Sequence, residues 1–102
     1  MAVSLQVLYP VGEGTTFDHA YYASTHMDLV GEHMGPHMVS AQASKGLAGG
    51  PNVPSPFHAI ATILFEDQAA MDAAMGAAGP VMADIPNFTN VQPQIMIGEV
   101  MS

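Results

Sequence analysis

Tyr22 and His26 stand four residues apart, which sets a phenol and an imidazole on one side of a helix. Histidine takes or gives a proton near neutral pH. A phenol donates a hydrogen bond to a carbonyl or phenol oxygen. Asp84, just ahead of Ile85-Pro86-Asn87, is a carboxylate suited to orient an imidazole, either His26 or His58, and fix its tautomer. Asp and Asn also cap local turns, so Asp84 and Asn87 carry both readings. His58 sits in the most apolar run of the chain, Phe57–Phe65, where a polar ring must find a partner. A His–Asp pair beside a tyrosine suits proton abstraction from a carbon acid, or the orientation of a ligand. His26, Asp84, Tyr22 and His58 are therefore the candidate catalytic residues. Two have plainer uses: His26 as a partly exposed residue of an amphipathic helix, and His58 as a satisfied core or interface histidine.

Other chemistries find less support. His19, His26 and His33 are seven residues apart, about 10.5 Å along a helix, and histidine–metal bonds are about 2 Å long. His33 and His37 have closer spacing, but Gly35-Pro36 breaks the helix between them. No metal is expected. With no cysteine there is no disulfide or thiolate site. Neither a nucleophile elbow nor a glycine fingerprint is present, so no covalent intermediate and no nucleotide cofactor is expected. Lys45 is the only basic side chain and the formal net charge is −8. Nucleic acid and anionic membrane surfaces both require the Lys and Arg that this chain lacks. An anionic ligand would lack its arginine clamp. A neutral, mostly apolar organic molecule fits better.

Elements that would position these residues follow from patterning. Val3, Leu5, Val7 and Tyr9 alternate with Ser4, Gln6 and Leu8, a strand ended by Pro10 and Gly12. Thr15 or Thr16 caps a helix, Thr15 and Asp18 resembling a capping box. Ala20, Ala23, Met27, Val30 and Met34 form its apolar stripe, and Gly35-Pro36 stops it. Met38–Leu47 is a weaker strand and 48–56 a loop. Phe57–Phe65 is the strongest strand, with Phe57, Ala59, Ala61, Ile63 and Phe65 on one face and His58, Ile60, Thr62 and Leu64 on the other. Asp67 caps a second helix that buries Met71, Ala74, Met75 and Ala78. Gly79-Pro80 ends it, a short turn spans Val81–Asp84, and Pro86-Asn87 is another break. Val91–Val100 is the last strand, with Pro93 marking an edge position or a strand end.

The order is β-α-β-β-α-β, the split βαβ pattern. It predicts an α+β, ferredoxin-like fold: a four-stranded antiparallel sheet with two helices on one face. At 102 residues the chain amounts to a single domain, 1–102, whose core is thin. Its apolar fraction is 49%, more than one small core hides. The strand faces away from the helices are not polar, so they need a cover, and a second copy of the chain is the simplest one. The N-terminus shows neither a basic segment nor a long apolar stretch, and no window is long enough to span a membrane. A cytoplasmic homodimer is expected.

Four segments together resemble one family: Val7–Pro10, Phe17–Val30, Pro56–Asp67 and Gly79–Val100. The most specific pieces are the Tyr-Tyr-x3-His-Met-x-Leu helix and the turn Ala83-Asp84-Ile85-Pro86-Asn87-Phe88-Thr89-Asn90-Val91. They look like the EthD family, small proteins of the dimeric α+β barrel fold. The resemblance implies a barrel made by two facing sheets, and it makes the His26 position look characteristic. Related barrels include polyketide cyclases, quinone-forming monooxygenases and haem-degrading monooxygenases, a likeness of fold that does not fix function. The expected activity is that of a small-molecule enzyme or accessory enzyme. It would run a cofactor-free oxygenation, cyclisation or isomerisation with His26 as base or acid, Asp84 orienting and Tyr22 positioning. The alternative is a non-catalytic carrier of an apolar metabolite, and behind it a haem-binding module.

Overall fold

The computed structural model describes residues 2–101. Strands β1 (Val3–Pro10), β2 (Ser40–Lys45), β3 (Phe57–Phe65) and β4 (Gln94–Glu99) form one antiparallel sheet in the order β2-β3-β1-β4. One face is covered by α1 (residues 19–34), α2 (Gln68–Gly76) and α3 (Gly79–Asp84). This is the expected ferredoxin-like α+β architecture, with α3 as an addition.

Period-two alternation explains the sheet. Leu5 and Tyr9 of β1 are buried, as are Ala59, Ala61, Ile63 and Phe65 of β3. Leu5 pairs with Ile63 and Tyr9 with Ala59, so these side chains share the helix-facing side. There Leu5, Ile63 and Phe65 meet Val30 and Met34 of α1, Met71 and Ala74 of α2, and Ala78 and Val81. Each large aliphatic or aromatic side chain buried here stabilises the fold by roughly 1.5–3 kcal/mol. A second cluster gathers Tyr9, Tyr22, Ala59, Phe88 and Val91 beside the candidate site.

Several boundaries differ from the sequence expectation, each for a local reason. Asp18 is the N-cap of α1, its carboxylate accepting from the Tyr21 N–H at 3.0 Å, while Thr15 closes its own turn by donating to the Gly12 carbonyl. In β2 only Ser40–Lys45 is paired. At its end Gly46 approaches the Phe57 carbonyl so closely that a Cβ would have no room. Val81–Asp84 belongs to the helix α3, with Pro80 in its first turn where the missing N–H costs nothing. The final strand is shorter than Val91–Val100, beginning at Gln94 after Pro93, and it is an edge strand. Asp67 caps α2 through the Ala70 N–H at 2.8 Å, and Met71 and Ala74 are buried as expected, but Met75 is half-exposed.

Candidate active site

The buried stripe of α1 departs from the expected one in its first half. Tyr22, His26, Val30 and Met34 face inward, and Ala20 and Ala23 face out. The cause lies in the backbone: Tyr22–His26 is a π-helical segment between the α-helical turn His19–Tyr21 and the α-helix Met27–Met34. The Met27 N–H reaches back five residues to the Tyr22 carbonyl. The Ser24 hydroxyl donates to the Ala20 carbonyl at 2.7 Å, satisfying an acceptor that the widened turn disturbs. One extra residue in the turn shifts the inward face of the preceding segment from Ala23 to Tyr22. It also lays Tyr22 flat on His26, with ring centroids 5.4 Å apart and planes inclined by 16°.

Asp84 arrives from the other end of the chain. It closes α3 and is followed by the 3-10 turn Ile85–Asn87. That turn is strapped to the start of α1. The Asp18 N–H donates to the Phe88 carbonyl at 2.8 Å, the Thr89 hydroxyl to the Thr16 carbonyl at 2.6 Å, and the Asn90 amide to the Gly14 carbonyl at 2.9 Å. Phe88 fills the space between, its ring 4.6 Å from that of His26. Two segments 58 residues apart are thereby held face to face.

Asp84 is buried and accepts three hydrogen bonds. Oδ1 takes the Tyr21 hydroxyl at 2.6 Å and the Asn87 amide at 2.9 Å, and Oδ2 takes His26 Nδ1 at 3.0 Å. Burial by itself would raise the Asp84 carboxyl, but the donors Tyr21, Asn87 and His26 outweigh it and hold it below the usual carboxylate range. Tyr21 is raised in turn, mainly by its bond to Asp84. An ionised carboxylate only accepts hydrogen bonds, so His26 Nδ1 carries a proton. In the neutral ring Nε2 then presents a lone pair, and Nε2 has no hydrogen-bond partner among the described residues.

A cavity of about 40 Å³ lies between α1 and the sheet. His26 and Tyr22 line it with Tyr9, Val7, Leu5, Val30, Ala61 and Ile63, and Met75, Met82, Ile85 and Ile95 belong to its rim. It has room for a few water molecules rather than an organic ring. Met75 and Met82 are partly exposed, and their flexible thioether chains can rearrange to enlarge it. Tyr22 is 4% exposed, yet its hydroxyl has no partner among the described residues. Burial pushes that phenol up to about 12, so it stays a donor.

The structure thus brings His26, Asp84 and Tyr22 together and leaves His58 apart. A bulge opposite Tyr9 and Pro10 makes His58 the extra residue between Phe57 and Ala59, turning it off the outer face expected for it. Its ring stacks on Phe17 at 5.5 Å, Nε2 shares a hydrogen bond with the Thr15 hydroxyl at 3.0 Å, and its carbonyl accepts from His19 Nε2 at 3.0 Å. Burial, then the neighbouring His19, hold the His58 imidazole below its ordinary value. It does not line the cavity. Sequence reasoning missed Tyr21, Phe88 and Tyr9. The adjacent tyrosines were visible, but nothing local says which one faces the carboxylate.

The family model described as EthD domain matches residues 12–92. The chain belongs to the EthD family. Both the α1 motif and the Asp84 turn fall inside the matched region. An EthD-like protein from Ralstonia eutropha is 34% identical, with a TM-score of 0.89, over 99% of this chain and 93% of that one. SnoaB, a cofactor-independent oxygenase from Streptomyces nogalater, is 8% identical with a TM-score of 0.68, over 99% of this chain and 94% of its own. A dimeric ferredoxin-like protein from Thermobifida fusca is 7% identical with a TM-score of 0.64, over 98% and 92%. The last two show the fold alone. No curated protein matches the sequence. Among the described residues of this EthD-family chain, no helix is long and apolar enough to cross a membrane.

Proposed function

We propose that this EthD-family chain binds a neutral, mostly apolar small molecule between α1 and the sheet and moves a proton on it through His26. The reading rests on one observation: a buried His26–Asp84 pair, 3.0 Å apart, at the polar end of an otherwise apolar cavity. Asp84 positions the ring and stabilises the imidazolium that forms when Nε2 takes a proton. Tyr22 donates to the ligand oxygen. Proton removal next to a carbonyl or phenol opens cyclisation, isomerisation and, with molecular oxygen as co-reactant, cofactor-free oxygenation. The Streptomyces oxygenase that shares the fold gives that last route a precedent of architecture. No step is assigned to His58.

A small enolisable ketone tests the base. Acetophenone in deuterium oxide exchanges its methyl protons, and proton NMR follows the loss of signal. The wild-type chain should accelerate exchange, and His26→Gln should remove about a hundredfold or more of that acceleration. Equal rates in the two proteins overturn the assignment. Ketone binding without any exchange supports the carrier reading instead.

The working unit is a homodimer in this reading. Away from the helices the sheet presents half-buried Leu8, Ile60 and Leu64, and β4 adds Met96 with about half of its surface exposed. A face so apolar calls for a cover, and the ferredoxin-like protein from Thermobifida fusca is dimeric. Sedimentation equilibrium should give twice the 10.6 kDa chain mass. A monomer at micromolar concentration would rule this out.

A further inference from the structure

Tyr9 carries chemistry that neither its strand position nor the proposed proton transfer accounts for. It lies on β1, 1% exposed, with its ring in the same cavity wall as Tyr22. The two rings meet edge to face, their centroids 5.6 Å apart. Tyr22 Oη is fully enclosed without a hydrogen-bond partner among the described residues, and Tyr9 lines the same wall beside it. A buried phenol left unpaired is costly, and phenylalanine would fill the same ring space without that cost. Such a phenol on a cavity wall, with the Tyr9 ring edge to face against it, calls for an oxygen that is supplied from outside the chain.

We infer that Tyr9 and Tyr22 form a two-donor cradle for a single ligand oxygen, and that the ligand is an apolar, enolisable ketone whose oxygen gains negative charge as His26 takes the α-proton. This rests on the proton-transfer reading and adds the substrate class. Burial keeps both groups protonated: Tyr22 rises to about 12, and Tyr9 is raised further, first by burial and then because a phenolate on Tyr22 would oppose a second one beside it. They therefore present O–H donors with no positive charge. Such a pair stabilises charge that develops during reaction more than charge already present. No Lys or Arg lines the cavity, which disfavours carboxylates and phosphates. In the proposed step the α C–H bond breaks, its proton goes to His26 Nε2, and its electron pair forms the enolate C=C as the carbonyl π pair moves to oxygen. In a ketone whose enolate is conjugated with a neighbouring C=C, return of the proton to the far carbon of that bond shifts the double bond and completes an isomerisation with no net redox change. The rest of the wall is aliphatic, so the remainder of the ketone is apolar.

Bound acetophenone gives a direct readout, because its carbonyl stretch falls in frequency with each hydrogen bond donated to the oxygen. In the wild-type protein the band should lie well below its position in hydrocarbon solvent. Tyr9→Phe and Tyr22→Phe should each return part of that shift and weaken acetophenone binding about tenfold. Ethylbenzene, which has the same shape without the oxygen, should bind each variant within about twofold of wild type. A Tyr9→Phe protein with the wild-type band overturns the cradle. His26→Gln should keep the shifted band while losing methyl-proton exchange, so failure of the base and failure of the cradle are read separately. A wild-type protein that binds neither acetophenone nor ethylbenzene overturns the cavity reading and the cradle with it.

Discussion

His26 and His58 are the same side chain in two settings, and the contrast shows what prepares a histidine for chemistry. His58 has one ring nitrogen on a threonine hydroxyl, its ring on Phe17, and a half-exposed position at the end of β3. Its surroundings only disfavour its charge. His26 is enclosed, stacked on Tyr22, and fixed at Nδ1 by a carboxylate that three donors keep ionised. Its other nitrogen is left to a cavity. A reactive imidazole thus needs one nitrogen committed to an ionised carboxylate and a ring that borders a cavity, and of these two histidines only His26 has both.

The largest test of this contrast is Asp84→Ala. It strips the acceptor from His26, Tyr21 and Asn87 together, and the buried donors left behind should lower stability by about 2–4 kcal/mol in chemical denaturation. His58→Ala should cost less than half as much. A ranking in the other order would remove the distinction between the two sites.

Stability against pH should separate them next. The Asp84 carboxyl titrates below its ordinary 3.8 in the folded chain. The unfolded chain therefore binds the proton first as pH falls, and this contribution is intact above about pH 4 and lost below it. His58 also titrates below its ordinary 6.5 when folded, so its contribution is intact above about pH 6.5 and declines as pH falls from there. His58→Gln should flatten the upper decline and leave the lower one in place. Urea midpoints at half-unit pH intervals would show this.

Tyr22→Phe gives a smaller effect of opposite sign. It deletes a buried hydroxyl that no described residue satisfies, so the ligand-free chain should gain up to about 1 kcal/mol. A loss of stability would mean that the hydroxyl already has a partner. The smallest effect is His58→Gln at neutral pH, within about 0.5 kcal/mol.

Much of the fold was legible because its signals are local. The alternation in β1 and β3, the Asp67 cap and the Gly35-Pro36 stop each depend on a few neighbouring residues. Residue types at the site were legible too: an imidazole, a phenol and a carboxylate with no rival nucleophile. The first half of the α1 face was not, because Ala20 and Ala23 continue the regular stripe of Met27, Val30 and Met34 and the π segment follows from contacts made elsewhere. Tyr9 read as an ordinary strand residue. That its ring stands beside the unpaired Tyr22 hydroxyl is a property of the whole packed core, and no pattern in β1 records it. The partner of Asp84 depended likewise on the strapping of residues 14–18 to 88–90.

The π turn has a consequence for anyone who would transplant this site. Its five residues do the work of a spacer as much as of a recognition sequence. Deleting one codon between Tyr22 and His26 would restore regular winding and keep every reactive residue type in the chain. The phenol would keep its inward register, but its spacing to His26 would fall from four residues to three. Grafting Tyr22, His26 and Asp84 onto a straight helix would reproduce the inventory but turn the phenol about a quarter turn from the Val30 and Met34 face, since one residue corresponds to roughly 100°. The heritable unit here is the surplus residue together with the three side chains it aligns.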